Sequence, residues 1–87
     1  MEADKPVRLS GHALQQAGFR GATQAEVVET IRTQPWTAAQ RGRLECRKAF
    51  VFNADWNGKM YSTKQVRSVF VDEADEIVVV TVYVYYF

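Results

Sequence analysis

The chain closes on IVVVTVYVYYF, residues 77–87, eleven residues that are apolar apart from Thr81 and the tyrosine hydroxyls. β-Branched and aromatic side chains in an unbroken run of this length specify a strand. A strand apolar on both faces belongs in the middle of a sheet or under cover on both sides. Thr81, Tyr83 and Tyr85 alternate with Val78, Val80, Val82 and Val84, so the two faces differ in kind. The valine face is expected under helices, and the tyrosine face is left for a ligand, a partner or a second copy.

The elements that could cover it precede it. Ser10 is a good helix N-cap, and His12 to Ala17 make about two turns before Gly18 loosens or ends the helix. Thr23-x-x-Glu26 is a capping box, followed by the apolar stripe Val27, Val28 and Ile31 and a stop at Pro35. From Arg43 the period changes to two. Arg47 to Asn53 reads as a strand, Asn57-Gly58 as a hairpin turn, Lys64 to Val71 as the next strand, and Asp72 to Glu76 as an acidic turn. The pattern predicts an α+β domain: two N-terminal helices, 11–18 and 24–33, on one face of a three- to four-stranded antiparallel sheet. Its main strands are 43–54, 64–72 and 76–86, and Val7–Leu9 adds a short fourth. Hairpin-length loops leave little room for a parallel crossover. Eighty-seven residues make one domain, 1–87, with 1–7 expected to be flexible.

Composition narrows the function. No apolar run nears the roughly 20 residues that span a membrane, and MEADKPVRLS has no apolar signal region. One cysteine, Cys46, excludes an internal disulfide, and one cysteine with one histidine cannot build an ordinary zinc site. A cytoplasmic protein with no metal, no cofactor and no membrane partner is expected. The net charge of +1 conceals a basic segment. Residues 41–67 carry seven basic side chains against Glu45 and Asp55, whereas 68–87 carry four acidic and no basic ones. Such a segment attracts a phosphate backbone, or it is a solvated strand face with lysines that discourage edge pairing.

Ser10-x-His12-Ala13, Arg20-Gly21, the capped helix ending near a proline, and the closing VVVTVY resemble a small bacterial domain family of unknown function. The similarity runs from about Arg8 to Phe87, with FNADWNGKMYSTKQVR and VVVTVYVYYF especially like one subgroup. That family is grouped with the barnase–EndoU–colicin–RelE ribonuclease fold. The resemblance implies a toxin-like, metal-independent endoribonuclease, often partnered by a small antitoxin protein. In such chemistry the ribose 2′-OH attacks the adjacent phosphate while a base removes its proton and cations stabilise the phosphorane. An imidazole titrates near neutrality and suits proton transfer. His12, Arg20, Lys48 and Arg67 are therefore the expected catalytic residues, with Gln16, Arg47, Lys64 and Tyr83 on the RNA. Relatives commonly carry an arginine four residues after the histidine, where this chain has Gln16. Either the phosphate contact has moved to the strands or catalysis is lost. The alternative function is a non-catalytic interaction module that binds itself, as a homodimer, or a small partner through the tyrosine face.

Overall fold

The computed structural model describes residues 5–87. The elements run β1 (Val7–Leu9), α1 (Gly11–Arg20), α2 (Gln24–Thr33), β2 (Thr37–Ala38), a short 3-10 turn (Gln40–Gly42), β3 (Leu44–Trp56), β4 (Lys59–Asp72) and β5 (Ile77–Tyr86). Both helices pack on one face of a five-stranded mixed sheet of order β1-β5-β4-β3-β2.

Local chemistry accounts for the helices. The Ser10 side chain accepts from the Ala13 N–H, and Thr23 and Glu26 complete the capping box in both directions. Gly18 does not end α1. It lies on the exposed side, and the helix runs on to Arg20 before Gly21 closes it in the left-handed region at φ 83°. One glycine costs only about 1 kcal/mol inside a helix, less than the remaining turn gains by packing. Ala13 and Ala17 lie fully under the helix on β5, and small side chains there let the two backbones approach.

The core lies between helices and sheet, with Val27, Ile31, Val66, Phe70, Ile77, Val79 and Val82 all buried. Trp36 closes its far side, packing edge-on against Phe70 and donating its indole N–H to the Ile31 carbonyl. The β3–β4 hairpin turns at Asn57-Gly58 with both φ positive, 54° and 86°, and the Asp55 carboxylate accepts from the Gly58 N–H. Two left-handed residues give the turn the twist of its strands.

Three expectations need correction. The sheet is not wholly antiparallel: β1 pairs parallel with β5, Val7 beside Ile77 and Leu9 beside Val79. The intervening 67 residues, 10–76, supply the crossover that short loops could not. The sheet has five strands, because Thr37–Ala38 adds a two-residue edge to β3. Finally, the valines do not all face the helices. Thr81 pairs with Val69 while Val79 pairs with Phe70, so Val80 is an extra residue in β5. This bulge flips the alternation, giving helix-facing Ile77 and Val79 before it and Val82 and Val84 after it. Val78 pairs with Val71 on the other face.

Residues 1–4 of the segment expected to be flexible lie outside the described residues. From Lys5 onward it is tied down: Lys5 pairs with Asp72, and the Pro6 carbonyl accepts from the Ile77 N–H at 2.8 Å. No helix among the described residues is long and apolar enough to cross a membrane.

Candidate functional site

The sheet face turned away from the helices holds a cleft of about 480 Å³. Its floor is Glu45 from β3, Arg67 and Val69 from β4, and Thr81 and Tyr83 from β5. Its wall is the segment Ala38–Arg43, which leaves β2 and doubles back. Arg41 stands there at φ 61°, a conformation L side chains seldom take, with Gly42 at φ 73° behind it. The tight return places Arg41 and Arg43 on the cleft lining, and neither is paired with a carboxylate among the described residues.

At the centre, Arg67 Nη2 donates to Glu45 Oε1 at 2.6 Å, and Arg47 Nη2 donates to Glu45 Oε2 at 3.4 Å. Arg67 also donates to the Tyr85 hydroxyl at 3.4 Å and lies 4.9 Å from the centroid of the Tyr83 ring. Its Nε is buried without a partner. The Arg67 hydrogen bond holds the Glu45 carboxyl below the ordinary carboxylate range, against some opposition from burial. Four guanidiniums against one carboxylate leave this region with a balance of +3.

The second cation on Tyr83 comes from the helix layer. β1 covers β5 only from Ile77 to Val79, so β5 is an open edge beyond the bulge. Arg20, in the last turn of α1, passes this edge. Its Nη1 donates to the Val82 carbonyl at 2.7 Å, and its guanidinium sits 5.0 Å from the Tyr83 centroid. Tyr83 is therefore attended by two arginines, one from α1 and one from β4.

The structure thus brings together Arg20, Arg67, Tyr83 and, through Glu45, Arg47. It does not bring the other expected residues to them. His12 is exposed in the first turn of α1, on the helix-bearing side, with no side-chain hydrogen bond among the described residues. Gln16 is half-buried on the same helix. Lys48 faces the helices and pairs with Glu29 at 2.6 Å. Lys64 is 6 % exposed, donating to the Gly21 carbonyl and to Glu26 Oε1 at 2.9 Å each, above the Phe52 ring. These two lysines fasten α2 to the sheet.

Sequence reading missed Glu45 and Gln40 as site residues; it had Arg41 and Arg43 only as members of the basic segment and Thr81 only as part of the tyrosine face. Glu45 had a signal: Arg43, Glu45 and Arg47 share strand parity, so an acid between two cations on one face marks a junction of charges. No group of three or more His, Cys, Asp or Glu among the described residues is placed to hold a metal ion. Cys46 is a core residue 3 % exposed, and burial pushes its thiol up to about 12.

No family model matches the chain, and neither a curated protein nor a solved structure does.

Proposed function

We propose that the chain is a toxin-like endoribonuclease whose phosphate-binding centre is the arginine cleft on the open sheet face. The observation that carries this reading is the convergence of Arg41, Arg43 and Arg67 around one ionised carboxylate, Glu45, in a cleft of ligand size. Guanidiniums bind phosphate oxygens bidentately, and a preset cluster of them suits the charge of a phosphorane. The resemblance to the ribonuclease group supports the same reading.

In this mechanism Glu45, rather than His12, is the base. As found, Glu45 is a weak base because Arg67 holds its proton affinity down. An incoming phosphate that draws Arg67 onto itself removes that effect and adds a negative charge nearby. Both changes raise the proton affinity of Glu45 at the moment it is needed. Glu45 then takes the 2′-OH proton, O2′ bonds to phosphorus, and the P–O5′ bond breaks. The leaving oxygen takes a proton from water in the open cleft, and the hydroxide so formed takes back the proton held by Glu45, which restores the base. The products are a 2′,3′-cyclic phosphate and a 5′-hydroxyl.

The test is cleavage of a short single-stranded RNA by pure protein in EDTA, with product ends identified by mass. Glu45→Gln and Arg67→Ala should each lower the rate on the order of 10²–10⁴-fold, as loss of a positioned acid–base group or charge stabiliser does. Cleavage that needs a divalent metal, or that survives both substitutions, contradicts the proposal.

A second reading has its own observation. Tyr85 is 42 % and Phe87 61 % exposed on the open side, beside Val51 at 85 %. Such a patch also suits a second copy of the chain. A homodimer by sedimentation at micromolar concentration, lost on Tyr85→Glu, would favour it.

A further inference from the structure

Two tyrosines of β5 share the open face but differ in what covers them. The Tyr83 ring is attended by Arg20 and Arg67, so it acts as a mount for guanidiniums rather than a platform for a base. The Tyr85 ring has no aromatic or cationic partner among the described residues, and Arg67 anchors it by the hydroxyl alone. Beyond it, Phe87 exchanges both backbone hydrogen bonds with Thr63, at 2.9 and 3.1 Å, which fixes its place in the sheet. The register then reads Arg67 beside Tyr83, Gln65 beside Tyr85, and Thr63 beside Phe87. Each step advances about 7 Å along the strands on one face. Across it, β3 contributes Ala49 beside Gln65 and Val51 beside Thr63, so among the described residues β3 and β4 place no side-chain carboxylate beside these two rings.

We propose that the open face continues from the arginine cleft into a base-stacking track formed by Tyr85 and Phe87, which takes single-stranded RNA of several nucleotides. This rests on the reading of the cleft as a phosphate site. Three features select that occupant over other polyanions. The cleft has a positive balance for phosphates, exposed rings follow it at strand spacing, and neutral Gln65 and Thr63 lie between. Unpaired bases can stack on exposed rings, whereas bases within a duplex cannot reach them.

Fluorescence anisotropy with a labelled single-stranded heptanucleotide, a version with its bases deleted as abasic residues, and the matching duplex provides the test. The full oligonucleotide should bind wild-type protein most tightly. Tyr85→Ala should weaken it roughly 5- to 150-fold, the span that loss of a stacking aromatic produces. The same substitution should leave the abasic strand within about 3-fold, and Tyr85→Phe should restore tight binding of the full strand. Phe87→Ala should act in the same sense as Tyr85→Ala. Arg67→Ala should weaken all three ligands, including the abasic strand, because it removes the phosphate contact. If Arg67→Ala acts and Tyr85→Ala does not, the track is wrong while the phosphate cleft stands. If wild-type protein binds none of the ligands at low salt, both fail. A Tyr85-dependent dimer that shows no base-dependent affinity also overturns the track, giving the rings to a second copy.

Discussion

Arg47 on β3 and Arg67 on β4 are direct cross-strand partners, and Glu45, two residues before Arg47 on β3 and diagonal to Arg67, accepts a hydrogen bond from each. Like charges placed opposite one another on a sheet repel. The single carboxylate makes this pair tolerable and keeps Arg67 poised at the centre of the open face. Glu45→Gln therefore leaves two guanidiniums facing each other. We expect a small loss of stability, below about 1 kcal/mol because the group is partly solvated, alongside a large loss of function. Chemical denaturation and a rate assay on the same sample separate the two effects.

The pH dependence follows from the same contact. Glu45 has its folded value depressed below the ordinary 4.5 by the Arg67 hydrogen bond. A depressed carboxyl contributes stability that is complete above its unfolded value and is lost as pH falls through the folded one. Wild-type stability should thus fall across that acid window more steeply than that of Glu45→Gln. Denaturation midpoints measured from neutral to acid pH check the sign. Parallel curves for the two proteins would show that the ion pair contributes nothing.

Gly21 is a packing requirement as well as a helix stop. At φ 83°, a Cβ there would lie 2.3 Å from the Tyr86 hydroxyl and 2.8 Å from the Trp56 ring. Tyr86 stacks on Trp56 at 4.8 Å and donates to the Arg20 carbonyl at 2.6 Å, so neither ring can move freely. Gly21→Ala should cost about 2 kcal/mol or more, from the left-handed backbone and the collision together. In a domain of this size that lowers the melting temperature by roughly 10 °C. Calorimetry of the variant gives the answer directly.

Cys46 should be inert in the folded protein. Its thiol is 3 % exposed and pushed up to about 12 by burial, so little thiolate forms at neutral pH. Labelling with a thiol reagent at pH 8 should proceed only as fast as the chain unfolds, and denaturant should accelerate it. Fast labelling under native conditions would contradict the burial.

Much of the fold was legible because local signals carried it. The capping box at Thr23 and Glu26, the Asn57-Gly58 turn and the closing apolar strand each act over a few residues. What escaped was non-local. The Val80 bulge leaves no mark in the alternation of valines, and a three-residue strand cannot declare that its partner lies about 70 residues away. The candidate site divides the same way. Arg67 and Tyr83 were recognisable as polar or aromatic interruptions on a strand face. The partnering of Glu45 with Arg67 depends on β3–β4 register. The wall at Arg41 depends on a left-handed return that Arg-Gly permits but does not announce. His12 and Lys48 were plausible by residue type alone, and only the topology shows that they lie on the helix side.

Single-turnover RNA cleavage by Arg67→Ala and by His12→Ala separates the open face of the sheet from the helix side. The open-face cleft predicts that Arg67→Ala slows cleavage on the order of 10²-fold or more, while His12→Ala cleaves at the wild-type rate. Activity abolished by His12→Ala and untouched by Arg67→Ala would contradict it and place the chemistry on the helix side of the sheet.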